Sequence, residues 1–171
     1  NYKYQVKHYT SKHVHKTGES TIINNARIDI TNQKFIKELL KYGITPAKSN
    51  TMDFRFDLIP EKFLSHFLRG LWDGDGSISI ISNHWHKTPQ FEMNITSCIK
   101  TINSIDKILH DKIENLTTYI YHRNPNNLKH ATLYIANKQN VFDLLKYLYT
   151  DASIYMDRKY QKYIDCMNLL A

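Results

Sequence analysis

Hydrophobic residues recur at helical spacing through the middle of the chain. Phe63, Leu64, Phe67 and Leu71 lie on one face if this stretch is helical. A proline and a glutamate stand just before the run and suit the first turn of a helix. The sequence therefore predicts a helix over 61–73, which breaks where the glycine-rich stretch 73–76 begins.

The rest of the chain alternates between strand-like and helix-like patterns. Asn32 suits the N-cap of a helix, and Gly43 suits its end. An α+β fold follows from this mixture, with a sheet that is polar on one face and apolar on the other. The predicted strands cover 2–9, 21–31, 77–82, 90–96, 116–122 and 128–136, and the other helices cover 33–42, 98–113, 138–149 and 154–169.

An internal repeat links the two halves of the chain. Residues 28–42 read IDITNQKFIKELLKY, and residues 133–147 read LYIANKQNVFDLLKY. Strand, cap and helix coincide in the two segments, so we interpret them as a duplication. The first repeat would then contribute only two strands and a helix, over 1–58. The second repeat would be complete over 59–171, with the order αββαββα.

Composition narrows the classes of partner. The 171 residues carry a net charge of +7, and residues 1–48 hold nine basic and three acidic residues. Such a balance suits a nucleic-acid partner, although a solvated basic surface has the same composition. Cys98 and Cys166 lie too far apart to suggest a metal site. We expect an intracellular protein, in the cytoplasm, nucleoid or an organelle, because neither a membrane-spanning run nor a secretory signal is seen.

The stretch 73–76 carries the candidate chemistry. Asp73 and Asp75 alternate with glycines at the end of the predicted helix. Carboxylate and carbonyl oxygens are the ligands that Mg²⁺ and Ca²⁺ prefer. A calcium-binding loop of the EF-hand type is not indicated, because residues 77–80 read as a strand instead.

The segment LRGLWDGDG resembles the signature of the LAGLIDADG homing endonucleases. The match joins a helical pattern, an internal glycine and terminal acids, and Trp72 departs from it in size. The resemblance implies repeats of the type αββαββα whose curved antiparallel sheet forms a DNA-binding saddle. It is letter for letter at Leu68, Gly70, Leu71, Asp73, Asp75 and Gly76.

The same resemblance implies roles for individual residues. Asp75 would be a metal ligand and catalytic acid, with the backbone carbonyl of Gly74 as a second ligand. The metal would be Mg²⁺, with Mn²⁺ or Ca²⁺ as substitutes for binding. Asp73 would be structural. Lys159 and its repeat counterpart Lys48 match the position of a basic catalytic residue, although a solvated surface lysine is the usual alternative.

The paired site of this family requires a second acidic helix. The repeat places its counterpart 105 residues before Leu68, ahead of Asn1. We therefore expect an N-terminal segment of the first repeat, or a second chain, to supply it. Gly70 would allow the two helices to approach closely.

The polar face of the sheet is the predicted contact with double-stranded DNA, because polar strand side chains can reach base edges in the major groove. The pair of histidines at 84 and 86 suggests zinc only weakly, since no further ligand lies nearby. The strand candidates are Ser77, Ser79, Gln90, Glu92, Asn94, Thr96, His130, Thr132 and Tyr134, and the turn candidates are His84, His86, Lys87 and Arg123.

These observations favour a site-specific, divalent-metal-dependent endonuclease of the LAGLIDADG homing type, and the resemblance implies that it cleaves both strands of a long DNA target. Two alternatives remain open. A catalytically inactive DNA-binding protein is favoured by the lack of a second acid, and disfavoured by the intact Asp75. An RNA maturase that assists intron splicing would use the same basic scaffold. An intein splicing domain is disfavoured, because its terminal catalytic residues are not visible.

Overall fold

The computed structural model describes residues 5–46, 53–82, 88–122 and 129–169. The chain forms two compact units, Asn1–Leu39 and Leu40–Ala171. These are called the first and the second unit. The division follows packing, and the repeat boundary expected after residue 58 stays a prediction.

The first unit contains an antiparallel hairpin. Strand β1 (Val6–Val14) pairs with β2 (Ser20–Ile28). Gly18 in the connecting turn has φ +86°, which glycine adopts without steric cost. The predicted strand over 2–9 has the wrong bounds, because alternation fades in the polar second half of β1 and only pairing with β2 reveals it.

Helix α1 (Gln33–Lys41) follows the hairpin. The side-chain oxygen of Asn32 accepts a hydrogen bond from the backbone N–H of Phe35 at 3.1 Å, which confirms the predicted N-cap. Phe35 and Ile36 are 43% and 44% exposed, and none of the described residues of the first unit is buried. Among those residues, the first unit therefore has no core of its own.

The second unit has the predicted order of elements. A short 3₁₀ helix (Phe56–Leu58) precedes α2, two hairpins flank α3, and α4 and α5 close the unit. Its elements are α2 (Glu61–Asp75), β3 (Gly76–Ile81), β4 (Gln90–Cys98), α3 (Ile99–Lys112), β5 (Tyr119–Tyr121), β6 (His130–Ile135), α4 (Lys138–Tyr149) and α5 (Asp157–Asn168).

Two predicted bounds are wrong. α2 does not break at Asp73 but continues through Asp75, because its last turn is held by contacts described below. β5 is short because the residues before it do not pair with β6. The backbone N–H of Thr117 donates instead to the side-chain oxygen of Asn140 at 2.9 Å.

One antiparallel sheet forms the centre of the second unit, with the strand order β3-β4-β6-β5. Ser77 faces Asn94, and Asn94 faces Tyr134, so the strand alternation is kept across the sheet. The odd–even prediction is confirmed, since Ile78, Phe91, Met93, Ile95, Leu133 and Ile135 are all buried on the opposite face.

The helices cover the apolar face of the sheet. Leu68 and Trp72 of α2 and Leu144 of α4 have no exposed surface. Asn137 caps α4 by accepting from the backbone N–H of Asn140 at 3.2 Å. α1 and α4 thus start 105 residues apart, each after a capping asparagine. In the described part of the chain, no helix has the length and apolarity that a bilayer crossing requires.

We expect Gly76→Ala to destabilise the second unit. A Cβ at this position would overlap the buried Trp72 indole, so the unfolding free energy should fall by about 1–3 kcal/mol. Gly74→Ala is the matched control, because a Cβ there meets nothing within 4 Å and alanine favours the helix by about 1 kcal/mol. Urea unfolding measures both, and equal effects would contradict the packing.

Candidate metal centre and nucleic-acid interface

Helix α2 ends in the exposed Asp75. The backbone N–H of Gly76 donates to the carbonyl of Trp72, and Gly76 is already extended, with φ −84° and ψ 171°. The helix therefore changes directly into β3. Among the described residues, no hydrogen bond or ion pair reaches the Asp75 carboxylate, so its oxygens are available to a ligand.

Asp73 lies on the buried side of the same helix end. One carboxylate oxygen accepts from the Tyr149 hydroxyl at 2.6 Å, and the other accepts from the backbone N–H of Met156 at 3.0 Å. Burial, followed by the hydrogen bond to Asp73, raises the pKa of Tyr149. Both oxygens of Asp73 are thus occupied within the protein, and Asp75 is the acid that faces outward.

Lys159 reaches the end of α2 from the first turn of α5. Its ammonium donates to the carbonyl of Trp72 at 2.5 Å and also to the carbonyl of Gly76. A cation suits the C-terminal end of a helix, where carbonyl dipoles point outward. Burial, together with repulsion from Arg158, lowers the pKa of Lys159.

Arg69 is a structural residue that sequence reasoning passed over, because its position in the signature varies. It is 5% exposed. Its guanidinium donates to the carbonyls of Leu148 and Ile154, both at 2.9 Å, and contacts a His66 ring nitrogen at 2.9 Å. Buried cations are stable only when they are hydrogen-bonded in this way. The Arg69 bonds therefore tie α2 to the last turn of α4 and to the loop that follows it.

The opposite side of α2 carries an exposed strip that contains two glycines and one large apolar side chain. A Cβ added to Gly70 or Gly74 would meet nothing within 4 Å. Phe63, at the other end of the strip, is 50% exposed. No other backbone approaches Gly70 among the described residues, so the close helix contact expected there stays a prediction.

The strand candidates for DNA contact share the outer face of the sheet. Thr96 and Thr132 face each other across β4 and β6, with their hydroxyl oxygens 2.7 Å apart. The Asn94 amide donates to the Glu92 carboxylate at 2.8 Å. The pairing of β3, β4 and β6 places all nine strand candidates on this face: Ser77, Ser79, Gln90, Glu92, Asn94, Thr96, His130, Thr132 and Tyr134.

Two tyrosines of β5 belong to the same face and were missed. Tyr119 pairs with Tyr134, and Tyr121 pairs with Thr132. Tyr121 also lines a cavity of about 450 Å³ together with residues of β4 and β6. The alternation within β5 was the signal that could have identified both tyrosines.

The hairpin of the first unit has a polar face of its own. Lys7 lies opposite Arg27, and Tyr9 lies opposite Asn25. Lys7 and Arg27 both contact Asp29, at 3.1 Å and 2.6 Å. Sequence reasoning missed this face because it depends on the pairing of β1 with β2, which the alternation within each strand does not show.

Several predicted site residues lie outside the described residues. They are the catalytic candidate Lys48 and the turn candidates His84, His86, Lys87 and Arg123. Their roles stay predictions.

The donor set near Asp75 fits part of a magnesium site. Its carboxylate and the Gly74 carbonyl are hard oxygen ligands, and Asp75 is exposed. Mg²⁺ demands an octahedral set, of which waters and phosphates commonly fill several positions. The described residues contain no group of three or more His, Cys, Asp or Glu side chains able to hold a metal. The described residues therefore form no complete metal site by themselves, and the pairing of Asp75 with a second acid stays a prediction.

Comparison with solved structures identifies the fold. The LAGLIDADG homing endonuclease I-GzeII, solved with its DNA target, superposes with a TM-score of 0.51 and 16% identity, over 80% of this chain and 43% of that chain. The archaeal intron-encoded homing endonuclease I-Vdi141I, solved with DNA, gives 0.48 and 18%, over 65% of this chain and 71% of that one. I-CvuI, also with DNA, gives 0.46 and 14%, over 63% and 66%.

The fold of this chain is thus that of the LAGLIDADG homing endonucleases, a mixed α and β fold with antiparallel sheets. The chain spans less than half the length of I-GzeII. No protein-family profile and no curated protein sequence matches it.

We expect Tyr149→Phe to lower the unfolding free energy by about 1–3 kcal/mol, because the buried Asp73 carboxylate loses a hydrogen-bond donor. Tyr163→Phe is the matched control: Tyr163 stacks on Tyr149, but its hydroxyl has no partner among the described residues. Its effect should stay within about 0.5 kcal/mol. Equal losses in urea unfolding would show that the Asp73 bond contributes nothing.

The lowered pKa of Lys159 predicts a pH dependence of stability. Between that pKa and the ordinary lysine value of about 10.4, the unfolded chain binds more protons, so the unfolding free energy should rise with pH. Burial of the Lys159 charge lowers the unfolding free energy, and this destabilisation is fully present at pH values below the lowered pKa. Unfolding by urea at a series of alkaline pH values should show this slope in the wild type and in Lys162→Gln. It should be reduced in Lys159→Gln, and an unchanged slope there would contradict the assignment.

Proposed function

We propose that this protein is a site-specific, divalent-metal-dependent endonuclease of the LAGLIDADG homing type that cleaves double-stranded DNA. One observation carries the proposal: the exposed Asp75 ends α2, and the next residue starts β3, whose outer face belongs to the polar side of the sheet. A candidate metal ligand and the polar face of a sheet are therefore adjacent in the chain. The fold is one in which known members, such as I-GzeII, have been solved with a DNA target.

We assign Asp75 and the carbonyl of Gly74 as ligands of Mg²⁺, with Mn²⁺ or Ca²⁺ as substitutes for binding. Bound there, the metal would supply an activated water and neutralise charge at the phosphate. Asp75 can serve because no protein donor occupies its carboxylate among the described residues. Asp73 cannot, since Tyr149 and Met156 hold both of its oxygens.

Lys159 is proposed as the basic residue of the site. Its ammonium is fixed against the two carbonyls that flank Asp75 in the chain, those of Trp72 and Gly76. From there its charge stabilises the negative charge that develops on the phosphate. Lys48 is proposed as its counterpart in the other half of a paired site.

The other half requires a second acidic helix, from an N-terminal segment or from a second chain. The exposed strip of Phe63, Gly70 and Gly74 supports this part of the proposal, because small residues let two helix backbones approach closely. The first unit supports it too, since its described residues bury no core and the apolar face of α1 is left for a partner.

DNA contacts are proposed along the polar sheet face of the second unit and along the hairpin face that carries Lys7 and Arg27. The net charge of +7 favours association with phosphates. Such a protein acts inside the cell, where its DNA target lies. A binding protein without cleavage is the second candidate, because the described residues offer one outward-facing carboxylate at the site rather than two.

We expect Mg²⁺-dependent double-strand cuts at a defined sequence in a plasmid library, and a loss of at least about 100-fold in rate for Asp75→Asn. The matched control is Asp151→Asn, an exposed acid in the loop after α4, which should cut like the wild type. The assay should include the N-terminal region or partner that supplies the second helix.

Specific DNA binding without cuts in any variant would replace the nuclease with the binding protein. Preferential RNA binding with stimulated intron splicing would replace it with a maturase. Cuts that persist in Asp75→Asn would refute the assigned metal ligand.

A further inference from the structure

A small cavity beside the candidate metal centre has an unusual lining. It has a volume of about 180 Å³ and lies between the start of β3 and the first turns of α5. That volume holds several waters at about 30 Å³ each, or one tetrahedral anionic group with its hydration. The lining residues are Gly76, Ser77, Ile78, Arg158, Lys159 and Lys162.

The charges in this lining are all positive. Arg158 and Lys162 are exposed and stand one helical turn apart on α5, so they face the same side. Neither has an ion-pair partner among the described residues, and no acid lines the cavity. Lys159, between them, is buried and is already bonded to two backbone carbonyls. Two cations therefore remain available to an external anion.

We propose that this cavity binds a backbone phosphate of the nucleic acid, held by Arg158 and Lys162. The proposal rests on the proposed function, because the phosphate belongs to the same DNA that the Asp75 centre would cut. The planar guanidinium of Arg158 can donate two parallel hydrogen bonds to a pair of phosphate oxygens, and the ammonium of Lys162 adds a compact positive charge.

Two further observations support an anion here. Repulsion from Arg158 contributes to the lowered pKa of Lys159, and a phosphate between them would relieve that repulsion. The wall opposite α5 starts at Gly76, which directly follows Asp75 in the chain. A phosphate in the cavity would thus hold the DNA backbone beside the metal ligand without using the ligand itself. Arg158 and Lys162 are positioning residues in this arrangement.

The test measures binding of a labelled random-sequence DNA duplex in EDTA, at several salt concentrations, so that no cleavage is needed. Arg158→Gln and Lys162→Gln should each weaken binding by about tenfold at low salt. Each should also reduce the slope of log affinity against log salt by about 0.9, the value for one lost phosphate contact. Lys107→Gln is the matched control: it is an exposed lysine on α3 that lines neither cavity, and it should keep the wild-type slope.

Wild-type slopes in both α5 variants, or the same change in Lys107→Gln, would overturn the proposal. Thermal unfolding must be unchanged in the three variants, as expected for exposed side chains. A reduced slope of log affinity against log salt then reports the loss of a phosphate contact and not of folding. The outcome is separate from that of the proposed function. Reduced slopes in a protein that never cuts DNA would uphold the phosphate site alone, and cleavage with unchanged slopes would uphold the nuclease alone.

Discussion

Two charged side chains buried on α2 hold the second unit in its observed arrangement. Arg69 donates to the carbonyl of Leu148 in the last turn of α4 and to that of Ile154 in the loop before α5. Asp73 accepts from the hydroxyl of Tyr149 and the N–H of Met156. Buried charges are costly unless they are hydrogen-bonded. The chain between α4 and α5 is therefore most stable in the conformation that gives both Arg69 and Asp73 their hydrogen-bond partners. That conformation sets where α5 begins, and α5 then returns Lys159 to the end of α2. The position of α2, the conformation of the α4–α5 loop and the placement of Lys159 therefore depend on one another.

The same helix divides its two acids between different tasks. Asp73 is 9% exposed, whereas Asp75, two positions further, is exposed at the start of the polar sheet face. A shift of two positions turns the side chain about 200° around a helix axis of 3.6 residues per turn. Asp73 is thus a buried hydrogen-bond acceptor and Asp75 an exposed carboxylate, although the two acids lie only two positions apart.

Much of this architecture could be predicted from the sequence, because strong periodicity governs it. The alternation in β3 and β4 correctly separated polar from buried positions, and Asn32 and Asn137 correctly indicated helix starts. The failures have a common cause in contacts between distant segments. The true extent of β1 depends on pairing with β2, and the last turn of α2 depends on partners in α4 and α5. Arg69 stands at a variable position of the signature, and nothing near it in the sequence revealed its role, because its acceptors lie about 80 residues further along the chain.

The sheet of the second unit keeps its two faces chemically independent. Core side chains such as Met93 and Leu133 lie on the helix side, while their neighbours in each strand point away and contact mainly one another. Substitutions on the outer face can therefore change its chemistry while leaving the buried core in place. Under the proposed function, this separation would let DNA specificity change by small independent steps on that face.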